Sequence, residues 1–371
     1  MPLCPTRSLP PAELSTGGPV DGRASLVWNG HTWGVAWSEV VSEQPTVFFA
    51  LVRPDGLRRG SPTRVSDVGY RGTSPAVAWD GHQWLITFSG GAGRFQEIFL
   101  ARLNEHATLL ARAEHVTARE RNDVSPAIAL SPDGPTIAWA AEFLSHRWAI
   151  RAVRLNRWAM QIGPPVTIVE RSEPLGSVTI VPNDRGVAVS WLVRRGEAVV
   201  DVMRLDPGGG PHGYFGRATP STIGSADHAA RYALAWDGTQ YGFAWDEVRT
   251  GSPRVFFHTL TRRLDASGAT MTVSHGGGSA RAPAIVAIAP GRFVAAWEVE
   301  RDTDRHVEVG AIDGATGRDA VGVQLRGHDG TAWSPAMGMG QDSVGVATTT
   351  ARGIALHIVP LGSCALRDAG R

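Results

Sequence analysis

A bulky or polar anchor recurs along the chain at Trp37, Phe88, Trp139, Trp191, Trp245, Trp297 and Thr348, at intervals of 51, 51, 52, 54, 52 and 51 residues. A period of this size that runs the whole length marks stacked supersecondary units. It outranks the ordinary expectation of two or three domains for 371 residues. Each unit reads as an apolar strand, a turn, a second apolar strand ending at the anchor, a polar loop, and two further strands. The clearest copies are SPAVAWDGHQWLITF from Ser74, ARYALAWDGTQYGFAWDE from Ala230 and RASLVWNGHTWGVAWSE from Arg23.

Within the strands the apolar residues alternate with period two, and no helical period occurs. Asn29-Gly30, Asp80-Gly81 and Asp237-Gly238 are expected to form tight hairpins with both positions at positive φ. Pro54-Asp55-Gly56 and Asp265-Ala266-Ser267-Gly268 are expected to turn the third strand into the fourth. Four short strands per unit and seven units predict an all-β chain, a seven-bladed β-propeller of four-stranded antiparallel blades forming one domain over residues 1–371. The blades are placed at about 23–67, 73–118, 124–170, 176–223, 228–275, 281–326 and 332–360. Blade seven has only one strand after Thr348, roughly Ile354 to Val359. The N-terminal strand 12–16 is therefore expected to complete it and close the ring.

That closure brings the only two cysteines, Cys4 and Cys364, together although they lie 360 positions apart. A disulfide between them is expected, and with it an extracytoplasmic or secreted location; the alternative is two free thiols near the termini. Met1 to Ala12 lacks the basic start and apolar stretch of a secretory signal.

Composition narrows the function classes. Hydrophobic residues at 43%, with 44 glycines and 24 prolines, describe a turn-rich globular chain rather than a disordered one. No apolar run approaches the length of a spanning helix, so the chain is not expected to cross a membrane. The net charge is +1, which argues against a nucleic-acid surface. All 36 cationic side chains are arginine. No metal or cofactor motif is present, so no cofactor is expected, and a monomer is the simplest assembly.

Ten of the 13 tryptophans occupy repeat positions and read as core; Trp148, Trp158 and Trp333 fall outside the pattern. Trp148 and Trp158 are assigned to packing. In a propeller the inter-blade connections and the loops from second to third strands emerge on one face, around the axial channel. The candidate ligand-binding residues there are Tyr70, Arg71, Arg121, Asp123, Asp227, His228, Arg281, Asp329 and Trp333, with Tyr70 and Trp333 suited to stacking on a sugar or gripping a partner. The acids that follow the anchor, including Glu39, Glu142, Asp246, Glu247 and Glu298, are expected to pair with loop arginines. The plainer reading of this face is a solvated rim of ion pairs, each contributing little.

The segments Pro75 to Phe88 and Ala230 to Glu247 resemble the roughly 50-residue unit of bacterial seven-bladed propellers, found in exported proteins of mostly unassigned role. The resemblance implies the fold and leaves the function open, because propellers host lectins, hydrolases, lyases and scaffolds. The Ser-x-Asp-x-Gly-x-Thr-Trp box of sialidase-type propellers is missing, and no catalytic residue is assigned. The leading expectation is a non-enzymatic module that binds a glycan or protein ligand at the channel mouth. The alternatives are a carbohydrate-active hydrolase or lyase with carboxylates facing across the channel, and a scaffold subunit of a larger assembly.

Overall fold

A computed structural model describes residues 3–363, apart from 119–120, 144–145, 196, 206–210, 219–222, 226–230, 249–250 and 317. The described residues form seven antiparallel sheets in a ring with no helix, a seven-bladed β-propeller. Blade one is typical, with strands Ser25–Trp28, Trp33–Val41, Gln44–Val52 and Arg58–Arg64 paired in sequence order. The first strands of blades two to seven are Arg71–Trp79, Asn122–Ser131, Leu175–Asn183, Tyr232–Trp236, Ser279–Ala289 and Trp333–Met339.

The core is divided among the seams between blades. Seven clusters of buried apolar residues occur among the described residues, and each joins two neighbouring blades. Trp37, Trp139, Trp191 and Trp245 are fully buried in them and Trp297 nearly so. Each side chain of this size stabilises the fold by about 2–3 kcal/mol. Close approach between blades is set by glycine: a Cβ at Gly34 would lie 2.5 Å from the Trp84 ring of the next blade and 2.7 Å from Phe49. Gly242 stands in the same relation to Phe293, and Gly345 to Trp33.

Blade seven is closed from the N-terminus by two short pieces. Its strands Trp333–Met339, Ser343–Thr350 and Gly353–Ser363 are extended by Ala12–Glu13, which pairs with Leu356 and Ala355, and by Leu3–Pro5, which pairs with Leu361 to Ser363. The expected strand is thus shorter at 12–13. Leu14 continues it with one bond to the Ile354 carbonyl, and the Ser15 hydroxyl accepts from the Ile354 N–H. Cys4 is buried and faces Gly362, while Cys364 lies outside the described residues.

The hairpins between first and second strands differ from expectation. Asn29, Asp80 and Asp237 do not adopt positive φ; only the glycines do, at 98°, 98° and 97°. The turns are four residues long, because the Asx side chain accepts the N–H groups two and three positions on, as Asn29 does from His31 and Thr32. The turn before the fourth strand of blade five is Thr261 to Asp265 rather than Asp265 to Gly268, with Leu264 at φ 70°.

Candidate functional site

Every first strand starts at the channel mouth, and in five blades it starts with a β-bulge. Register slips between Thr73 and Ala76, Val124 and Ala127, Gly176 and Thr179, Arg281 and Ala284, and Trp333 and Ala336. The bulged residue is left-handed each time: Ser74, Ser125, Ser177, Ala282 and Ser334 have φ between 48° and 54°. A bulge bends the strand and re-aims one side chain, here on the wall of the channel. In blades one and five the same position of the repeat is filled by Arg23 and Arg231.

All of these residues except the buried Ala282 line a cavity of about 920 Å³ at the mouth. Its floor is apolar, with Ala76, Ala127, Ile128 and Ile180 among its residues, and Pro75 and Pro126 stand at its side. One arc of the wall carries the Ser74, Ser125 and Ser177 residues of blades two to four; the opposite arc carries Arg23, Arg231, Arg305 and Trp333. Among the described residues no carboxylate lines it.

The two arginines cross over one another's neighbours. Arg23 of blade one reaches past blade seven to donate to the Ala282 carbonyl of blade six at 3.1 Å. Arg231 of blade five reaches past blade six to donate to the Ser334 hydroxyl of blade seven at 3.0 Å. Burial pushes Arg23 down to about 10, and the like charge of Arg231 adds to the fall; Asp246 and Glu298 oppose it. Arg23 therefore stays charged at neutral pH. Each guanidinium has five donors and engages one described acceptor by side chain, and neither forms an ion pair among the described residues.

The nearby acids are already in use. Asp246 accepts the N–H of Arg231 and the N–H of the bulged Ala282 in the next blade, both at 2.8 Å; burial nevertheless raises its pKa. Glu298 takes Nε and Nη2 of Arg305 on one oxygen, at 2.9 and 2.7 Å, and the N–H of bulged Ser334 on the other. The position after the anchor is thus an inter-blade latch. Ser38 and Ser89 do the same work with their hydroxyls, donating to the carbonyls of Gly72 and Asp123. Among the described residues Glu298 shows the expected pairing with a loop arginine, Arg305. Glu39, Glu247, Glu308 and Asp123 instead accept the indole N–H groups of Trp37, Trp245, Trp297 and Trp139 at 2.9–3.1 Å.

Of the residues singled out in the sequence, Trp333 lines the cavity, with the Arg305 guanidinium 4.5 Å over its ring. Tyr70 packs edge-on against Phe99 in the seam between blades one and two. Arg71 is exposed at the start of blade two. Arg121 lies over the Phe143 ring at 4.9 Å. Asp123 is sealed from solvent and pushed up to about 6 by burial. Arg281 is registered opposite Glu298 with its Nε buried. Asp329 shapes its own turn; bonds from Thr331 and the Ala351 N–H hold its pKa low against partial burial. Asp227 and His228 lie outside the described residues. Trp148 packs in its seam, but Trp158 is 54% exposed and so is not a packing residue. Arg23 and Arg231 are not among the residues singled out, although aligning the repeats shows Arg where three other copies have Ser-Pro-Ala. Among the described residues no group of three or more His, Cys, Asp or Glu is placed to hold a metal.

The chain is similar to a solved oligogalacturonate lyase in complex with manganese, with 11% identity, 96% of this chain and 98% of that one covered, and a TM-score of 0.55. It is also similar to a subtype N10 neuraminidase-like protein of A/little yellow-shouldered bat/Guatemala, with 8% identity, 97% and 100% covered, and a TM-score of 0.51. At these identities the likeness establishes the propeller fold alone. No protein-family model matches the sequence, and no curated protein matches it.

Proposed function

We propose that this propeller is a binding module that takes an anionic ligand into the axial cavity. The observation that carries the reading is the pair Arg23 and Arg231, two guanidiniums set on the cavity wall with donors to spare and, among the described residues, no carboxylate ion-paired to either. Holding like charges close in a half-buried site costs free energy, and an anion placed between them offsets that cost. Among the described residues this group has three guanidiniums, counting Arg305, against the two carboxylates Asp246 and Glu298, an excess of one positive charge. The volume lies within the ~300–1,000 Å³ typical of sites that bury a small molecule.

Acid catalysis across the channel finds less support. Asp246 and Glu298 each commit one oxygen to the next blade and the other to an arginine residue of their own blade, and a general acid or nucleophile needs a free one. The test is a thermal-shift screen of simple anions, with acetate, citrate and phosphate at graded ionic strength. Stabilisation in the wild type that disappears in Arg231→Gln supports the reading. Equal stabilisation of wild type and variant overturns it.

A further inference from the structure

The cavity wall is divided by chemistry, and the division is informative about what fits. The arc from blades two to four presents three serines at the same left-handed bulge, at φ 52°, 53° and 49°. Among the described residues their hydroxyls bond to no other group, although they line the cavity. Opposite stand the guanidiniums of Arg23 and Arg231, and between the two arcs lies an apolar floor with Pro75, Pro126 and the Trp333 ring at its side. Arg231 is already tied to the fourth serine of the ring, Ser334, which shows that a hydroxyl at this position is within reach of a polar group in the mouth.

We infer that the ligand is a sugar acid, a polyhydroxylated carboxylate whose carboxyl group sits at Arg23 and Arg231 while its hydroxyls meet Ser74, Ser125 and Ser177; this rests on the anionic-ligand reading above. Three features are required together. A neutral sugar leaves the arginines without a counter-charge. A fatty or aromatic acid covers the serine arc without pairing it, and a hydroxyl cut off from water without a partner is costly. A small inorganic anion satisfies the arginines but does not span a cavity of about 920 Å³. A pyranose acid has a carboxylate at one end, hydroxyls around the ring and a C–H face that lies on proline, alanine or indole surface.

The experiment is calorimetric titration of the full chain with galacturonate, glucuronate, their neutral parents galactose and glucose, and acetate. Two variants are compared: Arg231→Gln, and the triple Ser74→Ala, Ser125→Ala, Ser177→Ala. The triple variant is expected to fold, because Ala282 already holds the same left-handed bulge in blade six at φ 54°; a melting curve checks it. A uronate is expected to bind at least about tenfold more tightly than its neutral parent. The triple variant should lose about tenfold for the uronate, since each hydrogen bond contributes a factor of a few, and should leave acetate unchanged. Arg231→Gln should weaken both acetate and uronate.

The outcomes separate the two claims. If the folded triple variant binds uronates as the wild type does, or if acetate binds and uronates bind no better, the sugar-acid inference falls and the anionic site stands. If Arg231→Gln weakens neither acetate nor uronate, or no anion binds, the anionic reading falls and takes this inference with it.

Discussion

A single buried carboxyl shows how finely the blades depend on charge. Asp123 accepts the Trp139 indole N–H at 3.0 Å and is pushed up to about 6 by burial. Its folded pKa is raised, so the folded state holds the proton more tightly than the unfolded chain does. Stability therefore increases as pH falls from about 6 towards 4, and the charged form weakens the fold above that range. Asp123→Asn keeps the acceptor and removes the charge. It should raise stability at pH 8 by up to about 3 kcal/mol, with the gain vanishing near pH 4, as read from denaturant midpoints across pH. His357 runs the other way. It is buried against the Thr348 hydroxyl, 3.1 Å from its Nε2, and burial pushes it down to about 4, so protons favour the unfolded chain between pH 6.5 and 4. His357→Gln should flatten the acid-side loss of stability by up to about 3 kcal/mol in the same measurement. Trp158 is the contrast. It stands at a turn whose counterparts are Asp55, His106 and Arg263, its backbone fixed by Asn156, so the turn does not need an indole. Trp158→Ala should change stability by less than about 0.5 kcal/mol while removing an exposed, red-shifted part of the tryptophan emission.

At the scale of the strand, the Gly34 contact with Trp84 makes the seam between blades one and two intolerant of one methyl group. Gly34→Ala forces a Cβ to within 2.5 Å of the ring and should lower stability by at least about 1–3 kcal/mol. Trp84→Leu in the same chain should recover part of that loss in a double-mutant cycle. This scale is also where the sequence is most readable. The anchors, the alternation and the Gly turns are short-range signals that strand pairing obeys directly, so the blade order is legible without coordinates. The site is harder to read because its residues meet only when the ring closes. Tyr70 looks like a mouth aromatic until Phe99 takes its face, and Asp123 looks like a channel acid until Trp139 claims its oxygen. Arg23 and Arg231 are 208 positions apart and act on one space, a relation that only the closed ring creates.

For the molecule as a whole, stability is spread over seven seams, six of which are made by blades continuous in the chain. The seventh joins blades seven and one and draws on the N-terminus: Ala12 and Leu14 enter its apolar cluster, and Leu3–Pro5 and Ala12–Glu13 pair with Gly353–Ser363. Removing residues 1–16 should expose that strand edge and give a species that associates on gel filtration. A disulfide from buried Cys4 to Cys364 is proposed to lock the seam. Non-reducing peptide mapping should find the linked pair, and Cys4→Ser should cost about 6 kcal/mol in the loop-entropy account. A mapped free thiol at Cys4 would refute the lock.

The repeating bulge gives the channel mouth something like a combination dial. At one position of the repeat, six blades present Arg23, Ser74, Ser125, Ser177, Arg231 and Ser334 to the cavity, and blade six holds the buried Ala282. If the proposed binding holds, a change of one setting would alter what the mouth accepts and leave the buried seams alone, so that preference and fold would be written in separate parts of each repeat.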